Sequence, residues 1–186
     1  MLKNKFKSSS SIMYEQVDTS YEGAMGQGIY LEAHGGSCYC AIATLHLMGK
    51  LDSALSNIQK HRLVRWLVNR QVGDGLQGRP NKPPDACYTF WIGASLKLLG
   101  SLSFLNLEAL RQFVLSTQDP ITGGLAKYPD SHPDGLHTYL GISGLSLLGQ
   151  DNLKPVDPAL NISQRALKHL QMMHKSTTFN THSEKC

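Results

Sequence analysis

Three stretches of the chain are apolar on almost every face, and they resemble one another. They read EAHGGSCYCAIATLHLMGKL (32–51), PPDACYTFWIGASLKLLGSL (83–102) and HPDGLHTYLGISGLSLLGQD (132–151). Each opens on a polar residue, passes through small and aromatic residues, and closes on a leucine-rich run leading to glycine. The closing glycines, Gly49, Gly100 and Gly149, lie 51 and 49 residues apart. Glycine after such a run is a helix stop, because the C′ position adopts the left-handed conformation. The pattern predicts three buried helices repeated at a fixed period. Between them lie amphipathic segments, LSNIQKHRLVRWLVNRQ (55–71) and FLNLEALRQFVLSTQ (104–118). In the first, Leu55, Ile58, Leu63, Trp66 and Leu67 fall near helical spacing, with lysine, arginine and glutamine opposite. The linking loops, 72–84 and 119–133, are rich in glycine and proline.

Each unit is thus an outer amphipathic helix, a glycine-containing loop and an inner apolar helix. Stacking such pairs gives an all-α architecture, either a solenoid or a closed α/α toroid. His34, Asp85 and Asp134 hold the same place in the three copies. Asp85 and Asp134 each follow a proline and are predicted N-caps. In a toroid the inner helices begin around one mouth. His34, Asp85, Cys87 and His137, all in first turns, are then expected to face a shared opening.

Composition narrows the partners more than the fold. With 186 residues the chain has enough length for one domain with a real core. The net charge of +4 permits an anionic ligand but is no dense basic stripe, so nucleic acid is not expected as a partner. Four cysteines (Cys38, Cys40, Cys87, Cys186) form no CxxC pair, which points to reduced thiols and a cytoplasmic location. No run approaches the roughly 18 apolar residues of a membrane helix. Residues 1–20, polar and rich in lysine and serine, are expected to be a disordered leader and not a secretory signal. The repeats are assigned to 21–175, and 176–186 to a disordered tail.

Asp85, Cys87 and His137 offer a carboxylate, a thiolate and an imidazole, the three commonest types of zinc ligand. Three protein ligands leave a fourth position open, the pattern of catalytic zinc. Each residue also has a plainer reading: Asp85 as a helix cap, Cys87 as a small buried hydrophobe, His137 as a satisfied core histidine. The repeat register places all three at equivalent heights. Arg79 and Lys82 precede the same helix, Tyr88 follows Cys87, and His34 opens the neighbouring helix. Together they suit phosphate or diphosphate oxygens, aided by the helix N-termini. The plainer reading is a solvated loop carrying ordinary surface charge.

At these residues the chain resembles a known family. GRPNKPPDACYTFW (78–91), EAHGG (32–36) and PDSHPDGLHTYLGISGLSLLG (129–149) are similar to the β subunits of protein prenyltransferases. The likeness covers roughly residues 21–175. It implies an α/α barrel, here an incomplete arc supplying only its later part, and a heterodimer with a prenyltransferase α subunit. It implies zinc on Asp85, Cys87 and His137. It places His34, Arg79, Lys82, Tyr88 and Lys127 on the diphosphate, and Cys40 and Trp91 along the isoprenoid. Within the family the likeness points to the type I geranylgeranyl branch. There Lys127 stands in for magnesium, so that magnesium is not expected to be required. The implied reaction moves geranylgeranyl from geranylgeranyl diphosphate to the cysteine of a C-terminal CaaX sequence, X mostly leucine, on proteins such as small GTPases. The alternatives are a type II (Rab) β subunit, or a truncated non-catalytic module that binds the α subunit or prenylated proteins.

Overall fold

The computed structural model describes residues 21–28 and 31–183. The predicted leader 1–20 lies outside the described residues, as do residues 184–186 of the predicted tail. The three apolar stretches form helices α1 (Gly35–Leu47), α4 (Tyr88–Leu98) and α6 (Gly135–Leu147). A short helix α2 (Leu51–Ala54) follows α1, and the amphipathic segments form α3 (Asn57–Val68) and α5 (Leu107–Ser116). A last helix, α7, runs Gln164–Ser183, through much of the segment expected as a disordered tail. That stretch contains neither glycine nor proline to stop it. The inner helices stand side by side, with α4 packed between α1 and α6. Helix α3 backs α4 and α5 backs α6, giving the two layers of an α/α toroid arc.

All three inner helices stop by the same device. Gly49, Gly100 and Gly149 have φ of +65°, +67° and +75°. The next amide donates back to the helix in each case: Lys50 to the Leu45 carbonyl at 2.8 Å, Ser101 to Leu96 at 2.8 Å, Gln150 to Leu145 at 3.0 Å. These are Schellman caps, as the glycine spacing predicts.

The starts vary more. His34 caps α1 by accepting from the Gly36 amide, and Asp134 caps α6 by accepting from His137. Asp85 departs from its predicted place as the α4 N-cap. The helix begins at Tyr88, and the Asp85 carboxylate accepts instead from the Cys87 amide at 2.9 Å. The chain enters α4 through tight i→i+3 bonds, Tyr88 N–H to the Asp85 carbonyl and Thr89 N–H to that of Ala86. Ile58 also departs from its predicted face. Leu63, Trp66 and Leu67 are buried, but Ile58 is 75% exposed. Five positions along a helix turn a side chain about 140° from its starting face, so Ile58 and Leu63 point apart.

A repeated backbone stitch joins neighbouring units at the end where the inner helices begin. The Gly35 amide donates to the Gly78 carbonyl at 2.8 Å, and the Ala86 amide to the Lys127 carbonyl at 2.9 Å. Gly35 and Ala86 are one repeat apart, as are Gly78 and Lys127. Each inner helix is thereby fastened to the loop that leads into the next. Under the stitches, Tyr39, Phe90 and Trp91 pack edge to face, with ring centroids 5.1–5.7 Å apart.

The inner helices touch closely because of glycine. A Cβ on Gly144 would lie 3.0 Å from the Thr89 Cβ and 3.1 Å from the Phe90 backbone nitrogen, whereas one on Gly93 meets only Leu102, at 3.9 Å. Gly144→Ala should therefore cost about 1–3 kcal/mol by overpacking. Gly93→Ala should stabilise by up to about 1 kcal/mol through backbone entropy. Urea denaturation of the two variants checks the opposite signs.

Candidate metal centre and anion cavity

The metal-ligand types predicted from sequence do converge. Among the described residues, Asp85, Cys87 and His137 each bring one donor atom to a group in which all donors lie within 4.8 Å of one another. His137 Nε2 is 3.3 Å from Asp85 Oδ1. Asp85 and Cys87 are each only 6% exposed, and the His137 side chain 13%. The stitch at Ala86 and the packing of α4 on α6 produce this meeting of residues 50 positions apart.

The imidazole is aimed by a residue that the sequence reading used only as a cap. Asp134 Oδ2 lies 2.5 Å from His137 Nδ1, while its Oδ1 accepts from the His137 amide. These contacts hold the Asp134 carboxyl below its usual pKa. The ionised carboxylate engages Nδ1 and so turns Nε2, the nitrogen a metal would take, toward Asp85 and Cys87. The signal was present as an acid three residues before the histidine. Burial, then the Asp85 carboxylate, push the Cys87 thiol well above its usual pKa. Without a metal this thiol holds its proton at neutral pH. A carboxylate, a thiol that ionises on metal binding and an oriented imidazole together fit zinc.

All five residues expected to hold a diphosphate line one cavity of about 620 Å³ beside this centre: His34, Arg79, Lys82, Tyr88 and Lys127. Asp85 lines it too, and Lys127 Nζ lies 3.8 Å from Asp85 Oδ2. Metal group and cation cavity therefore share a wall. Sequence reasoning missed Glu32, which lines the same cavity and pairs with Arg79.

Hydrogen bonding decides which way Tyr88 points its proton. The Gly36 amide donates to His34 Nδ1 at 3.1 Å, so that nitrogen is bare. Burial, then the Arg79 charge, lower the His34 pKa, and the ring is neutral at physiological pH. Its one proton is then on Nε2 and is donated to the Tyr88 oxygen, 3.0 Å away. Burial pushes the Tyr88 pKa up to about 12, so the hydroxyl keeps its own proton and is free to donate it into the cavity. Gly78 makes room, since a Cβ there would collide with the Tyr88 ring.

A second cavity, of about 600 Å³, adjoins the first and shares Gln27 and His34 with it. Its walls include Met25, Ala41 and Leu45, together with Cys40 and Trp91, the two residues expected along an isoprenoid. A cation-lined chamber thus opens beside an apolar one, next to a metal-type triad.

The paired helices form an arc of an α/α toroid, and the sequence comparisons agree. The prenyltransferase alpha-alpha toroid domain matches residues 2–162, and the chain belongs to that family. It is 44% identical over 157 residues to the geranylgeranyl transferase type-1 subunit beta of Dictyostelium discoideum, covering 84% of this chain and 44% of that protein. It is 39% identical over 140 residues to the geranylgeranyl transferase type-2 subunit beta of Saccharomyces cerevisiae, covering 75% and 43%. Among solved structures, a Candida albicans protein geranylgeranyltransferase-I complexed with GGPP superimposes with a TM-score of 0.73 at 27% identity, over 82% of this chain and 46% of that one. The chain spans less than half the length of these relatives.

Two outcomes follow for the metal centre. Asp134→Asn should weaken zinc binding by about 10–100-fold through loss of ring orientation, measured by competition with a chromogenic chelator. Because the bound metal must expel the Cys87 proton, apparent zinc affinity should rise about tenfold per pH unit from about pH 7 to about pH 8. Cys87→Ala should abolish that slope.

Proposed function

We propose that this chain serves as part of the β subunit of a type I protein geranylgeranyltransferase. The observation that carries the reading is a single mouth in which the cation-lined cavity shares Asp85 with a zinc-type triad and shares Gln27 and His34 with an apolar cavity. Zinc held by Asp85, Cys87 and His137 would supply Lewis acidity that keeps an acceptor cysteine as thiolate at neutral pH. The apolar cavity suits the hydrocarbon of geranylgeranyl diphosphate, gaining about 25 cal/mol for each Å² of apolar surface removed from water. The cation chamber suits its diphosphate.

In the reaction proposed, the acceptor sulfur bonds to C1 of the isoprenoid while the C1–oxygen bond breaks, and the electron pair leaves with the diphosphate. Negative charge grows on the leaving oxygens. Arg79, Lys82 and Lys127 oppose it as fixed cations, and Tyr88 donates its proton as a hydrogen bond, with His34 holding the hydroxyl in that orientation. Groups already aimed at the developing charge stabilise the transition state more than the ground state. Lys127 lies between the triad and the chamber, where it can take the place of a divalent cation, so magnesium is not required. The partners in this reading are a prenyltransferase α subunit and proteins ending in CaaX. Among the described residues no helix is long and apolar enough to cross a membrane.

The branch assignment draws on the Lys127 position and on the 44% identity to the Dictyostelium type-1 subunit. The 39% identity to the yeast type-2 subunit supports a second reading, in which the acceptor is a Rab protein. Co-expression with a prenyltransferase α subunit, followed by transfer assays with labelled geranylgeranyl diphosphate, tests both. The type I reading expects transfer to a peptide ending in CaaL, reduced at least about 100-fold by Cys87→Ala. Transfer to a Rab protein alone would favour the second reading. Co-purification without transfer would leave a binding module. Lys127→Asp should make turnover respond to added magnesium, and an unchanged magnesium profile would remove the role given to Lys127.

A further inference from the structure

Glu32 stands where a carboxylate is least expected, in the wall of the cation-lined cavity. Its Oε2 lies 2.6 Å from Arg79 Nη1, and the two side chains are 47% and 42% exposed. An ion pair so open to water contributes little to stability, and its partners exchange readily. The backbone beneath Glu32 is held independently of that pair. Ala33 bridges Gly26 in antiparallel fashion, and the His34 amide donates to the Met25 carbonyl at 3.0 Å. Arg79 follows Gly78, whose carbonyl accepts from Gly35 in the stitch between units. Carboxylate and guanidinium are thus mounted on two anchored segments and face each other across the cavity rim. Asp85, the other acid lining this chamber, is already occupied by the Cys87 amide, His137 and Lys127.

On the reading of this chamber as a diphosphate site, we propose that Glu32 is the resident counter-ion of Arg79. It is a positioning residue that occupies the guanidinium when the chamber is empty and yields it to the ligand. A multiply charged anion that can engage the guanidinium fork outcompetes a single exposed carboxylate. Glu32 nevertheless remains in the same wall, and its charge opposes the ligand that has displaced it. It therefore limits affinity for the diphosphate product and speeds its departure. No bond is made or broken in this role.

Calorimetric titration of the full chain with inorganic pyrophosphate tests it, using wild type, Glu32→Gln, Glu32→Asp, Arg79→Gln and the double variant Glu32→Gln/Arg79→Gln. Glu32→Gln should bind pyrophosphate about three- to tenfold more tightly than wild type, and Glu32→Asp, which keeps the charge, should return toward wild type. In the Arg79→Gln background the gain from Glu32→Gln should shrink to less than about twofold. Unchanged or weaker binding by Glu32→Gln would overturn the proposal while leaving the diphosphate reading intact. An equal gain with and without Arg79 would also overturn it, since Glu32 would then act only through the general field. Absence of pyrophosphate binding in wild type and all variants would overturn the diphosphate reading, and this proposal with it.

Discussion

Two backbone hydrogen bonds, Gly35 to Gly78 and Ala86 to Lys127, hold the mouth of this arc together. Each ties the entrance of an inner helix to the loop entering the next. Single bonds of this kind contribute only about 1 kcal/mol. Their importance is geometric. They recur at the period of the repeat, so the residues flanking each stitch occur in the same relative position from one unit to the next. His34 and Arg79 flank the first stitch, and Asp85, Cys87 and Lys127 flank the second. Every side chain to which a chemical role is proposed in this mouth is within a few residues of a stitch or of the capped start of α6.

The same arrangement sorts charge without separating it. Asp85 meets His137 through Oδ1 and faces Lys127 through Oδ2. Glu32 holds Arg79, and Asp134 holds His137. Three acids thus each fix a cationic or imidazole partner, while Lys82 and the Tyr88 hydroxyl remain turned to the cavity. Burial enforces the protonation states: the Cys87 thiol and the Tyr88 phenol keep their protons, and His34 gives up its charge. Apart from Arg79, whose guanidinium Glu32 already holds, donors turned to the cavity in this way meet an anion at little reorganisation cost, which is the physical basis of electrostatic preorganisation.

Periodicity made much of this legible. The glycine stops, the three apolar helices and the two amphipathic ones could be read because local patterns select local structure. The failures are of another kind. Ile58 sits in an apolar-looking register but faces water, because the buried stripe of α3 is set by its contact with α4. Asp85 looks like a cap, yet the tight turn before α4 diverts its carboxylate to Cys87. Asp134 looked like nothing more than a cap, and its second oxygen proved to aim the His137 ring. Glu32 carried no signal, since an acid two residues before a histidine is common and its partner lies 47 residues away.

What the sequence by itself determined was the repeat: which segments are helices, where they stop, and which residue types recur at their starts. Those are consequences of short-range backbone preference and of the apolar period, and both are written within a few turns of chain. Only the tertiary structure decided which recurring residues touch. The 4.8 Å grouping of Asp85, Cys87 and His137, the tautomer of His34 and the pairing of Glu32 with Arg79 depend on how far apart two helices stand. That spacing is set by glycine contacts such as Gly144 against Thr89 and by stitches between loops, interactions between units that no single unit encodes.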